Sequence, residues 1–97
     1  MAKYRISQSA KEDLIRIHQY GTQRFGALQA DRYFDAFFKA FERIAARPLA
    51  FEAVDHIKMG YRRCVCGVDT IYYTIQNEGV AIMAIVGKQD LSNYQKS

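Results

Sequence analysis

Few residues in this sequence are both chemically capable and usefully spaced. The two histidines, His18 and His56, could act as general bases, but neither has a carboxylate or nucleophile at a spacing that implies a site. No pair of carboxylates is marked out for acid–base work. Cys64 and Cys66 are separated by one residue, which matches neither a zinc-ligand spacing nor a redox C-x-x-C. On a strand these two share a face, where a disulfide would strain the backbone, so they read as two reduced thiols. There is no glycine-rich phosphate loop and no nucleophile elbow. Neither a cofactor nor a metal is expected. The pair Arg62-Arg63 stands out more. On a strand its side chains point to opposite faces, one toward the covering layer and one toward the open face. A guanidinium group often anchors an interface, although charge on a solvated edge strand is the plainer reading.

Recognition is therefore a better prospect than catalysis, and the composition agrees. The chain has 97 residues, enough for one core, so residues 1–97 are expected to form a single domain with a polar tail over about 88–97. Seven Tyr and six Phe are many for this length, and surplus rings often serve an interface. The net charge is +4, and residues 1–48 carry nine Lys/Arg against five Asp/Glu while residues 49–97 carry five of each. The basic excess thus sits in the first half, where it would attract an acidic partner. There is no Lys/Arg run of five or more, so specific nucleic-acid binding is not expected. No signal peptide and no apolar stretch approaching the ~18–20 residues of a membrane span is visible. A cytoplasmic, soluble protein is expected.

The elements that must position these residues are legible. Residues 3–7 alternate with period two and predict a short strand. Ser7 and Ser9 offer N-caps, Ser9 with Glu12 fits a capping box, and Asp13 adds negative charge to the first turn of a helix over about 8–24. Phe25-Gly26 interrupts the pattern. A second helix from about Ala27 carries Ala30, Tyr33/Phe34, Phe37/Phe38, Phe41 and Ile44/Ala45 as an apolar stripe and ends at Pro48. A connection of only two or three residues forces the helices into an antiparallel hairpin. Residues 49–59 show no period and predict an irregular connection. Strands follow over Tyr61–Cys66, Thr70–Gln76 and Val80–Val86, the last so apolar that cover on both faces is expected. The architecture expected is α+β, in the order β-α-α-β-β-β, with the hairpin packed on an antiparallel sheet.

This series resembles the ParE-type toxins of the RelE/ParE toxin superfamily. The matching stretches are Tyr4-Arg5-Ile6-Ser7 with Ala10, Asp13-Leu14 and Ile17; Phe25-Gly26 with Gln29-Ala30 and Tyr33; Ile44-Ala45 with Pro48; Gly60-Tyr61-Arg62-Arg63; and Ile71-Tyr72-Tyr73. The resemblance implies the toxin of a type II toxin–antitoxin system, neutralised by a ParD-like antitoxin with an acidic C-terminal segment. It also implies action without catalysis, by binding DNA gyrase, through its A subunit, and trapping cleavage complexes. The other branch of the superfamily consists of ribosome-dependent mRNA endonucleases. Many relatives have an Arg in the second half of the last strand and a His at its end, where this chain has Ala84 and Gly87. Ala81–Gly87 offers no base, acid or cation for RNA cleavage, which disfavours that alternative. A decayed, non-toxic antitoxin-binding module is the third possibility. On residue type and expected exposure, Arg62, Arg63, Tyr73 and Lys88 are the candidate target contacts, and Tyr20, Phe25, Tyr33 and Phe37 the candidate antitoxin contacts.

Overall fold

The computed structural model describes residues 3–87. Strand β1 (Tyr4–Ile6) leads into helices α1 (Gln8–Phe25) and α2 (Ala27–Ala46). A 3-10 turn (Pro48–Ala50) and the two-residue strand β2 (Glu52–Ala53) precede the meander β3 (Tyr61–Cys66), β4 (Asp69–Gln76) and β5 (Gly79–Gly87). The order β-α-α-β-β-β is thus present, and residues 49–59, expected to be irregular, contribute one short extra strand. No helix among the described residues is long and apolar enough to cross a membrane.

The sheet runs β1-β5-β4-β3-β2. The meander is antiparallel as expected, but β1 pairs parallel with β5, so the last strand lies between the first and the fourth. Two consecutive strands can return through a tight turn, whereas β1 reaches its partner only after the whole helical layer has been laid down.

One side of the sheet meets the helices. The stripe of α2 buries Ala30 and places Phe37, Ala40, Phe41 and Ile44 in the core, where they meet Ile71, Tyr73, Val80, Ile82 and Ile85 of the sheet. Most of the aromatic surplus is spent here: Tyr33, Phe37 and Phe41 form a row with ring centroids 4.9 and 6.5 Å apart, and Tyr4 closes on Phe41 at 5.5 Å. The strand over residues 79–87 is not covered on both faces by helices. Its buried residues are Val80, Ala81, Ile82, Ile85 and Gly87, and the inward positions pass from Val80 and Ile82 to Ile85 and Gly87, a break in period two explained by a bulge opposite the Tyr72/Tyr73 step. Met83 and Ala84, in the break, are only half-buried.

The beginning of α1 seals that bulge. Beyond Ile82 the outer edge of β5 has no paired strand among the described residues, and α1 supplies the missing partners. The Ser7 N–H donates to the Ile82 carbonyl at 3.0 Å, and its hydroxyl donates to the Met83 carbonyl at 3.0 Å. The same Ser7 oxygen caps α1 by accepting from the Ala10 N–H at 3.0 Å. Asp13 accepts from the Ile85 N–H at 3.0 Å. These contacts correct two expectations. Ser7 is the N-cap and Ser9 lies inside the helix, while Glu12 meets Gln8 rather than closing a capping box. Asp13 is a sheet ligand, also 3.2 Å from Arg16, rather than a first-turn charge.

The connection between the helices is tighter than expected, a single residue, Gly26, at φ +90°. A side chain would strain that conformation. Across the hairpin His18 lies 2.8 Å from Asp31, so the histidine acquires a carboxylate partner that sequence spacing hides. The ring of Phe34 packs edge-on against the same imidazole at 5.4 Å, making the group a bridge between the helices.

Asp13→Ala should lower stability by about 1–3 kcal/mol, because it strands a backbone N–H in the bulge. Asp13→Asn retains an acceptor oxygen and should lose less. Thermal denaturation of the two variants checks this; equal losses would show that the Ile85 bond is not the source.

Candidate functional site

The helical hairpin, the β3–β4 turn and the end of β5 enclose a groove of about 900 Å³. α1 contributes Arg16, Ile17, Tyr20 and Gly21, and α2 contributes Ala30, Arg32, Tyr33 and Ala36. Phe25 closes it at the hairpin tip, and Gly67, Val68 and Asp69 close it at the sheet. Its floor is small and apolar and its rim carries arginines. The shape arises because α2 continues past the sheet toward Gly26 and its apolar stripe continues with it. Phe25 is 59% exposed and Tyr20 39%. Arg24 lies over the Tyr20 ring at 5.7 Å, which keeps the phenol at the rim.

Tyr33 is the hinge between groove and sheet. Its hydroxyl lies 2.6 Å from Asp69 Oδ2 and 2.8 Å from the Cys66 carbonyl, and accepts from the Val68 N–H at 3.2 Å. One phenolic proton serves two oxygen acceptors while the lone pairs take the turn amide, so the β3–β4 turn is tied to α2 at three points. The turn fits only without a side chain at its apex: Gly67 has φ +60°, and a Cβ there would lie 2.5 Å from the Tyr33 ring. Burial, and next the hydrogen bond and charge of Asp69, push the Tyr33 phenol well above its ordinary range. Asp69 itself is 6% exposed at this junction.

Three of the four expected antitoxin contacts, Tyr20, Phe25 and Tyr33, therefore line one groove. Phe37 does not; it is fully buried and belongs to the core, because the stripe that contains it faces the sheet at that turn. The residues not foreseen are the floor, Ile17, Gly21, Ala30 and Ala36. Gly21 carried a signal, being a glycine in mid-helix, but the alanines look like any others.

The expected target contacts separate. Arg62 turns toward the helical side and donates from Nη1 to the Phe51 carbonyl at 2.7 Å. Arg63 lies on the other face and donates from Nε to Glu52, and that carboxylate raises the guanidinium pKa. Both arginines thereby hold the 51–52 segment against β3. Tyr73 is fully buried, with its hydroxyl on the Pro48 carbonyl, and this corrects its assignment as a surface contact. An inward strand position packed beside Phe51 leaves it no access to a partner. Burial pushes its phenol up to about 12. Lys88 lies outside the described residues. Ala84 pairs with Tyr72, and Gly87 lies at the groove.

Cys64 and Cys66 are buried, unbridged thiols on the inward face of β3, and burial pushes both upward, away from the reactive thiolate. Among the described residues no three His, Cys, Asp or Glu side chains come together as a metal site. A second hollow of about 450 Å³ lies between β1 and the β4–β5 turn, lined by Lys3, Arg5, Gln76 and Glu78 among others. Its lining mixes polar and apolar residues.

Residues 4–91 match the family described as ParE toxin of type II toxin-antitoxin system, parDE. The chain is 36% identical over 75 residues to Toxin ParE1 of Caulobacter vibrioides, covering 77% of this chain and 78% of the relative. It is 33% identical over 78 residues to Toxin ParE1 of Mycobacterium tuberculosis, covering 80% of each. Among solved structures, a chain of the chromosomal ParDE TA system from P. aeruginosa superposes with a TM-score of 0.78 at 12% identity, over 90% of this chain and 96% of that one.

The retarded phenols of Tyr33 and Tyr73 make an alkaline prediction. Unfolded tyrosines ionise near 10, whereas Tyr33 and Tyr73 ionise later in the fold. Their stabilisation is complete below pH 10 and is lost as pH rises through the window toward 12. Phenolate absorbance should show a late component, from Tyr33 and Tyr73, that titrates only with unfolding. Tyr33→Phe should remove one of the two and cost about 1–3 kcal/mol at neutral pH. Seven ordinary titrations in the folded state would contradict the burial.

Proposed function

The chain belongs to the ParE toxin family of type II toxin–antitoxin systems, and from that premise we propose that it inhibits DNA gyrase and is neutralised by a ParD-like antitoxin seated in the hairpin groove. The observation that carries the antitoxin half is the convergence of Tyr20, Phe25 and Tyr33 on one apolar trough with arginines at its rim. An amphipathic helix would lay its apolar face on that floor and its carboxylates beside Arg24 and Arg32. The basic excess of residues 1–48 would speed the encounter.

The target half rests on the family. The toxin would bind the gyrase A subunit and hold the cleaved-DNA state, which requires tighter binding to that state than to resting enzyme. No bond would be made or broken by this chain, and its site of action would be cytoplasmic. Absence of a cation or base over Ala81–Gly87 supports this reading over mRNA cleavage. Arg62, Arg63 and Lys88 remain the proposed target contacts. Arg63, on the side of the sheet away from the helices, is better placed than Arg62, which would have to release the Phe51 carbonyl to reach a partner.

The test is a supercoiled-plasmid assay with gyrase, ATP and the purified toxin. Linear DNA released only by detergent and protease is the expected product, and adding antitoxin should abolish it. Unchanged supercoiling by a folded toxin would remove gyrase from the proposal, and codon-phased mRNA cuts would replace it with the nuclease reading. Arg63→Ala should reduce linear product about tenfold while leaving the melting temperature nearly unchanged, since surface ion pairs contribute little.

A further inference from the structure

Gly21 is a glycine that the fold does not require. It lies in the interior of α1, where glycine is a poorer helix former than alanine. Its φ is not positive. A Cβ placed on it would meet only the Ala30 side chain at 3.5 Å and the Ala30 Cα at 3.8 Å, ordinary van der Waals contact. Gly67 is the opposite case, because a Cβ there would overlap the Tyr33 ring. α1 therefore gives up helix stability at Gly21 without an intramolecular return.

The return lies in the groove, whose floor Gly21 shares with Ala30 and Ala36. A volume of about 900 Å³ accommodates roughly two turns of a helix about 10 Å across. A helix can lie that low only where the backbones approach closely, and small residues on both sides permit such an approach. Arg32 lines the groove and Arg24 lies over the ring of Tyr20, another lining residue, and both arginines are exposed. We infer that the groove's occupant is an acidic amphipathic helix that crosses α1 at Gly21, presenting a small residue of its own at the crossing. Larger apolar side chains one turn to either side reach Ile17 and Phe25, and carboxylates on its outer flank face the two arginines. This rests on the antitoxin assignment above and adds to it a contact point and a size rule: the missing methyl at Gly21 is space reserved for the partner.

The experiment is calorimetric titration of wild type, Gly21→Ala and Tyr20→Ala with a purified ParD-like antitoxin, together with the melting temperature of each free toxin. Gly21→Ala should raise the melting temperature by about 4 °C or more and weaken binding about tenfold or more. Gly21→Ser should weaken it further. A lower melting temperature for Gly21→Ala would show that the fold needs the glycine, and would overturn the inference. Undiminished affinity in Gly21→Ala, with Tyr20→Ala impaired, would overturn it while leaving the groove as the antitoxin site. Full affinity in both variants, or no binding by wild type, would fell the groove assignment and the inference together.

Discussion

The position of the helical layer is decided where α1 begins. Ser7 and Asp13 close the outer edge of β5 over its bulge, a stretch that no strand among the described residues pairs, and they do so with one hydroxyl, one amide and one carboxylate. Unpaired backbone groups half-buried beside a bulge are costly. Among the described residues the groups that bond to them are at the start of α1, so the helix cannot rotate or slide without leaving them unpaired. Once α1 is placed, the single-residue connection at Gly26 leaves α2 little choice of path, and its stripe falls across Ile71, Ile82 and Ile85.

A second constraint follows at the far end of the hairpin. Tyr33 takes the β3–β4 turn through three contacts, and the helices are thereby fixed to both ends of the sheet. Tyr33 is consequently both a wall of the groove and a structural tie, and its removal would confuse recognition with stability. Tyr20 and Phe25 carry no such double duty, since neither enters the buried core. Partner recognition and fold stability overlap at one residue and separate at the others, which makes the surface open to dissection.

Much of the fold was legible because its signals are periodic and local. The stripe of α2, the three meander strands and the hairpin could be read from spacing, and their bounds moved by only a residue or two. What could not be read depends on pairing across the chain. The parallel β1–β5 contact joins residues 4–6 to 80–82, and nothing in either segment announces the other. The bulge hides inside a run of apolar residues that obscures its own register. Asp13 looked like a helix charge because its partner is an amide in Ile85, and amides leave no mark in a sequence. The same reason divides the candidate site. Tyr20 and Phe25 were legible as rings beside the hairpin tip, whereas Phe37 and Tyr73 were equally aromatic and only their facing withdrew them. The floor of the groove was illegible because it is defined by side chains that are nearly absent.

The placement of β5 bears on when this surface comes into existence. β5 is the last described strand in the chain, yet in the sheet it stands between β1 and β4. During synthesis the hairpin and β1 emerge first, with the edge they are built to close still inside the ribosome. Neither the bulge that orients α1 nor the corner at Gly87 exists until that strand is delivered and inserted. The nascent chain therefore has no partly functional stage: a polypeptide interrupted before residue 79 would hold the helices and the rings but not their arrangement. Activity and susceptibility to neutralisation should mature together, in one late step, rather than accumulating as translation proceeds.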